Sequence, residues 1–169
     1  MKLLKLSILS ALALLVAGCS EPKPEAAAAI APNEIEIRAA LQSEIEKIGI
    51  ALQSKDHAGF AALFTEDATW VLPDATTYVG RPAIEAGQKA FMETFDAITA
   101  GPQIIDKLVI INDSEAVVFA SLTLTIMSQG KVDNLINPYA AYMQKGTDGV
   151  WRVAYDVNAL GPVKAPMPK

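Results

Sequence analysis

Apolar positions recur along this chain first with a helical period and then with an alternating one. Ile37, Leu41, Ile45, Ile48 and Leu52 stand at spacings of 4, 4, 3 and 4, which lays them along one stripe of a helix that Asn33 can cap. Lys55-Asp56 ends that helix and opens a short second one, in which Asp56 is placed to cap and Phe60, Leu63 and Phe64 fall on one face. Thr65-Glu66-Asp67 breaks the period. Ala68 to Leu72 then reads as a strand with Trp70 and Leu72 on one side and Thr69 and Val71 on the other, stopped by Pro73. A helix that feeds directly into a strand makes a corner, and a pocket is expected there.

After a turn at Asp74-Ala75-Thr76, Thr77-Tyr78-Val79 predicts a short strand that Gly80 ends. Arg81-Pro82 starts a third helix, with Ile84, Phe91 and Phe95 marking its buried side. From Gln103 the pattern is β: Ile104 to Ile111, Ala116 to Met127, Val132 to Gln144 and Trp151 to Asn158, separated by turn sequences rich in Asn, Asp and Gly. Helices first and an antiparallel meander afterwards predict an α+β domain, its helices packed on one face of a curved sheet.

The N-terminal pattern belongs to no fold. Met1 to Cys19 carries two lysines, an apolar run from Leu6 to Val16 and then small residues. The run is shorter than the roughly 20 residues that span a bilayer, and it reads as a secretory signal over residues 1–18. Val16-Ala17-Gly18-Cys19 resembles the lipobox of bacterial lipoproteins; the alternative is an ordinary cleaved signal beside a stray cysteine. The resemblance implies an acylated Cys19 at the head of a tether over residues 19–32, rich in Pro, Ala and Glu. With Ser20 next to it, it further implies an outer-membrane anchor facing the periplasm of a bacterial envelope, since acyl chains such as palmitate hold a protein to a bilayer without a spanning helix. The domain is then expected over residues 33–162, followed by a loose, proline-rich tail at 163–169.

Composition narrows the function. The 169 residues, 51% hydrophobic and 20% charged, suit one domain with a sizeable core. The formal net charge is −5 without any Lys/Arg cluster, which argues against nucleic acid. A single cysteine allows no internal disulfide, and a single histidine makes a His/Cys zinc site improbable. No Gly-rich phosphate loop and no Ser/His/Asp or Cys/His arrangement stands out, so neither a cofactor nor a metal is expected.

Three stretches carry a resemblance: KDHAGFAALFTEDATWVLP (Lys55 to Pro73), VGRPAI (Val79 to Ile84) and DGVWRVAYDVN (Asp148 to Asn158). In order and spacing they resemble the NTF2-like superfamily, in particular its SnoaL-like and DUF4440-type members, over about Ile35 to Pro162. The resemblance implies a cone, a curved antiparallel sheet wrapped around three helices, with an apolar cavity at its open end. Ketosteroid isomerases in that superfamily use an aspartate base, a tyrosine and a protonated aspartate. The matching positions here are Leu72, Ile48 and Ala141. All three are apolar, and a side chain that cannot take a proton cannot be a base, so that chemistry is not carried over.

Alternation then nominates the lining. If Leu72 faces inward, so does Trp70; if Ala141 does, so do Asn137, Tyr139 and Met143; on the last strand Ala154, Asp156 and Asn158 follow. Trp151, Val153 and Tyr155 are left for the opposite face, where a partner subunit could cover them in a homodimer. Asp156 is the candidate catalytic or ligand-binding acid, since an apolar setting raises a carboxyl pKa; the alternative is a rim aspartate in water. Trp70, Leu72, Tyr139 and Asn158 are the other candidate ligand contacts. The aromatic pair could equally be plain core, and Asn158 could simply end its strand. His57 is expected in solvent or at the cavity mouth, and Asp67 either caps the corner or serves chemistry.

Three functions compete. One is a membrane-anchored lipoprotein that binds a small, mainly apolar molecule in its cone. Another is a SnoaL-like isomerase, cyclase or dehydratase using Asp156 for proton transfer. The third is a dimeric envelope assembly module.

Overall fold

A computed structural model describes residues 32–158 and 163–164 of the chain. The expected signal segment at residues 1–18, Cys19 and all of the expected tether but Pro32 lie outside the described residues.

Helix α1 (Pro32–Ser54) begins with proline in its first turn, where a missing N–H leaves no helical bond unmade, so Asn33 lies inside the helix rather than capping it. Its stripe is the expected one: Ile37, Leu41, Ile45 and Leu52 are buried and Ile48 is half-buried. Lys55 turns the chain with a φ of 56°. Asp56 then caps α2 (His57–Ala62), accepting the Gly59 N–H at 2.8 Å.

The corner is tighter than the residue pattern suggests. Strand β1 (Phe64–Val71) starts at Phe64, directly after the α2 cap residue Leu63, and includes Thr65-Glu66-Asp67. The Val153 N–H donates to the Leu63 carbonyl at 2.9 Å, and Arg81 donates from Nη2 and Nε to the Phe64 carbonyl at 2.7 and 3.2 Å. These bonds satisfy the backbone at the end of a helix too short to do so itself. Pairing of β1 with the strand that carries Val153 is interrupted between Phe64 and Thr69; in that stretch Glu66 and Asp67 are exposed while Ala68 is buried.

Strand β2 (Thr77–Val79) pairs antiparallel with β1. Helix α3 (Arg81–Glu93) buries Ile84, Gln88 and Met92, at spacings of four. The expected face of Ile84, Phe91 and Phe95 is therefore rotated: Phe91 and Phe95 are half-buried, packed edge-to-face at 5.1 Å, and Phe95 lies beyond the helix. Strand β3 (Ala97–Ala100) was not expected from the pattern. The meander follows as β4 (Ile104–Asn112), β5 (Glu115–Ser128), β6 (Lys131–Lys145) and β7 (Trp151–Asn158). Two residues of the stretch expected to be loose, Val163–Lys164, form β8 against β6.

The strand order is β2-β1-β7-β6-β5-β3. Strands β5 and β6 are long enough to take two partners each along their outer edges, β3 and β4 on one, β7 and β8 on the other. Strands β1 and β7 run parallel, which brings the first strand of the chain beside the last long one. The helices cover the concave side, giving an α+β cone with three helices, as the resemblance implied.

One sequence expectation fails on β7. Tyr142 pairs with Tyr155 and Met143 with Val153, so Ala154 is an extra residue in a bulge. A bulge reverses the alternation beyond it. Trp151 and Val153, expected outside, are each 3% exposed in the core, Ala154 is half-buried, and only Tyr155, at 45%, faces outward as expected.

Candidate functional site

The concave side of the sheet and the three helices enclose a cavity of about 440 Å³. Trp70 and Leu72 reach it from β1, Tyr139 from β6, and Asp156 and Asn158 from β7, so all five candidate ligand contacts from the sequence line one space. Ile48, from α1, and Leu72 present apolar surface to it. Ala141, directly across from Asp156, is buried beneath the lining. Among the described lining residues there is no Lys, Arg or His.

Asp156 is brought there by the parallel pairing of β1 with β7, which sets it opposite Trp70. It is 9% exposed, and its Oδ1 is buried without a hydrogen-bond partner. Burial pushes its carboxyl up from 3.8 to about 7; Asn158, Trp70 and the Val157 N–H pull the other way without cancelling that. At neutral pH the group therefore exists in both protonation states, which is what an acid, base or switchable ligand contact needs.

The polar groups beside it form two chains, each ending on a backbone carbonyl. Asn158 Nδ2 donates to the Val71 carbonyl at 3.2 Å, and Asn137 Nδ2 donates to Asn158 Oδ1, leaving Asn137 Oδ1 buried and unpartnered. Gln103 Nε2 donates to the Ile45 carbonyl at 2.6 Å, and the Tyr139 hydroxyl donates to Gln103 Oε1 at 3.1 Å. Burial, and then the nearby Asp156 and Asp106 charges, push the Tyr139 phenol well above its ordinary value. Tyr139 is thus held as a neutral phenol whose proton is already engaged.

Sequence reasoning missed Gln88, Gln103 and Tyr78. Gln88 interrupts a stripe of buried apolar residues at a spacing of four, a legible signal once Ile84 and Met92 are recognised as its neighbours. Tyr78 lies directly across from Trp70 and stacks on it, with ring centroids 5.6 Å apart at 29°. It can do so because residue 87 is glycine: a Cβ there would stand 2.5 Å from the Tyr78 Cζ. Gly87→Ala is expected to drive the Tyr78 ring off Trp70 and cost about 1–3 kcal/mol. A shifted Trp fluorescence spectrum together with a lowered denaturation midpoint checks this, and an unchanged spectrum contradicts it.

His57 and Asp67 lie elsewhere. The His57 Nδ1 is 3.1 Å from Glu85 Oε1, a surface link between α2 and α3 rather than a lining group. Asp67 is exposed and accepts the Thr65 hydroxyl at 3.0 Å. Among the described residues no group of three or more His, Cys, Asp or Glu is arranged to hold a metal.

Comparison with known proteins agrees with this architecture. No curated protein matches the chain by sequence. Among solved structures, a conserved protein from Planctomyces limnophilus DSM 3776 matches with a TM-score of 0.67 at 18% identity, covering 76% of this chain and 99% of that one. A ketosteroid isomerase-like protein from Erwinia carotovora atroseptica SCRI1043 matches at 0.64 and 18%, covering 77% and 98%. A type 2 hexachlorocyclohexane dehydrochlorinase matches at 0.66 and 14%, covering 81% and 98%. At such identities these structures speak for the fold alone. The family model described as a SnoaL-like domain matches residues 33–155, most of the chain and nearly all of its helices and strands, and the chain belongs to that family.

Proposed function

We propose that this chain is a lipid-anchored protein of the bacterial envelope whose cone binds a small, mainly apolar molecule with its polar end against Asp156. The observation that carries the reading is a cavity of about 440 Å³, walled mostly by aliphatic and aromatic side chains and lined also by Asp156, one of whose carboxyl oxygens is buried without a partner. A buried polar atom left unpaired costs free energy, and a ligand that pairs it recovers that cost on binding. Apolar walls supply affinity through the area they take from water. The anchor rests on the Val16-Ala17-Gly18-Cys19 sequence; among the described residues no helix is long and apolar enough to cross a membrane.

A second reading, proton transfer by Asp156, is favoured by the carboxyl's shift to about 7. Two structural neighbours are named for isomerase and dehydrochlorinase activity, and both kinds of reaction move a proton.

One experiment separates the readings. Full-length protein is screened by thermal shift against small apolar molecules, and each hit is followed for conversion with wild type and Asp156→Asn. The binding reading expects saturable stabilisation, no conversion and at most about a tenfold change in affinity in the variant. Conversion by wild type that the variant loses establishes the second reading. The absence of any hit contradicts both. Cys19→Ser run alongside is expected to move the protein from the membrane to the soluble fraction, and a variant that stays with the membrane contradicts the anchor.

A further inference from the structure

The two hydrogen-bond chains on the sheet wall restrict what the ligand's polar end can be. A backbone carbonyl can only accept, so the Val71 carbonyl fixes which end of the Asn158 amide faces it: Nδ2 donates there and Oδ1 faces Asn137. That oxygen in turn fixes Asn137, whose Nδ2 turns toward it and whose Oδ1 is left open. The Ile45 carbonyl sets Gln103 by the same logic, and Gln103 Oε1 takes the Tyr139 hydroxyl proton. Asn158, Asn137, Gln103 and Tyr139 therefore each donate to an acceptor within the protein. Two acceptors remain unpaired, Asn137 Oδ1 and Asp156 Oδ1.

The other walls set no opposite preference: the Gln88 amide and the Tyr78 hydroxyl, for which no hydrogen bond is found among the described residues, can each donate or accept. From α3 and the residue that follows it come Gln88 and Thr94, and the Thr94 hydroxyl already donates to the Ala90 carbonyl at 3.0 Å. From β2 comes Tyr78, stacked on Trp70 of β1. Among the described lining residues there is no cationic side chain to receive an anion.

We infer that the cavity selects a ligand whose polar end is a hydrogen-bond donor, an amine or a hydroxyl on an apolar ring system, and discriminates against one that ends in a carbonyl or a carboxylate. The inference rests on the binding reading above and names the chemistry of that site. A donor satisfies an oxygen that is otherwise buried and unpaired, whereas a carbonyl can satisfy neither of the two. A carboxylate adds like charge beside Asp156 as well. The selection is sharpest on the alkaline side of neutrality. There Asp156 is an ionised acceptor, while on the acid side its own proton can be donated to a carbonyl.

The test uses one skeleton, naphthalene, carrying an aminomethyl, hydroxymethyl, acetyl or carboxylate group, with methylnaphthalene as the hydrocarbon control. Affinities are measured by calorimetry on the full chain at about pH 8.5, above the range in which Asp156 is half protonated. The amine and the alcohol are expected to bind roughly tenfold or more tightly than the ketone, with the carboxylate weakest. Asn137→Leu, which removes one open acceptor at similar volume, is expected to narrow that gap while methylnaphthalene binds at least as well as before. An amine bound and an alcohol refused assigns the donor to a cation; equal binding of the two assigns it to the hydrogen bond itself. A ketone or carboxylate that binds as tightly as the amine and alcohol overturns the inference and leaves the cavity reading standing. If no probe binds, methylnaphthalene included, both fall.

Discussion

Asp156→Asn is expected to abolish a loss of stability that the wild-type protein suffers between about pH 4 and about pH 7. In the unfolded chain this carboxyl releases its proton near 3.8, whereas in the fold burial holds it to about 7. Below 3.8 both states carry the proton and the group does not discriminate. Between the two values unfolding releases a proton, so each step upward in pH favours the unfolded chain, by about 1.4 kcal/mol per unit. Above 7 both states are ionised and the full penalty remains. The window spans roughly three units, which makes the loss a few kcal/mol, a large part of the ~5–15 kcal/mol that holds a domain together. Asp148 acts at the other end of the scale: its hydrogen bonds with Arg152 hold it near 2, so its contribution is present above the ordinary carboxylate range and lost as pH falls. Urea denaturation at a series of pH values should show the wild-type midpoint falling across the window and the variant's staying level. Parallel profiles for the two proteins would place Asp156 in water.

Phe64→Ala should cost about 3–5 kcal/mol, the range for removing a buried aromatic ring. Phe64 is among the largest fully buried side chains, with Phe60 at 5.4 Å and Trp70 at 6.3 Å between ring centroids. It occupies the residue where α2 gives way to β1, so its ring holds the corner shut while its carbonyl receives Arg81. The space it leaves opens into a cavity already present, and neighbours that line that cavity cannot close in from the open side. This puts the cost at the upper part of the range. Phe64→Leu keeps an apolar body at the corner and should cost less. Equilibrium denaturation of both variants is the check, and a loss below about 1 kcal/mol for Phe64→Ala would mean that the corner does not depend on the ring.

What could be read from the residues follows how local each determinant is. The α1 stripe and the Asp56 cap are local, and both stand as expected. The four long strands of the meander were legible for the same reason, each bounded by its own turn residues. The bulge at Ala154 was not, because alternation counts one residue per step and nothing in WRVAYDVN marks the extra one. Asp156 and Asn158 were nonetheless placed inward, since both lie on the same side of the bulge, while Trp151 and Val153 lie across it. On α3 the aromatic residues suggest a buried side through Phe91, but the fold buries Gln88 and Met92 with Ile84 and leaves Phe91 half-buried. Strand β3 is too short to carry a period of its own and exists because β5 extends far enough to pair with it. The amide orientations that leave Asn137 Oδ1 open are set by carbonyls distant in sequence, beyond the reach of any local pattern.

The central claim is that a titratable carboxyl sits inside an apolar cavity. Carboxyl-carbon NMR of Asp156, followed through a pH titration, tests it most directly. A midpoint near 7 that moves when a cavity ligand is added is the predicted result. A midpoint in the ordinary range near 3.8, unmoved by ligand, would contradict it.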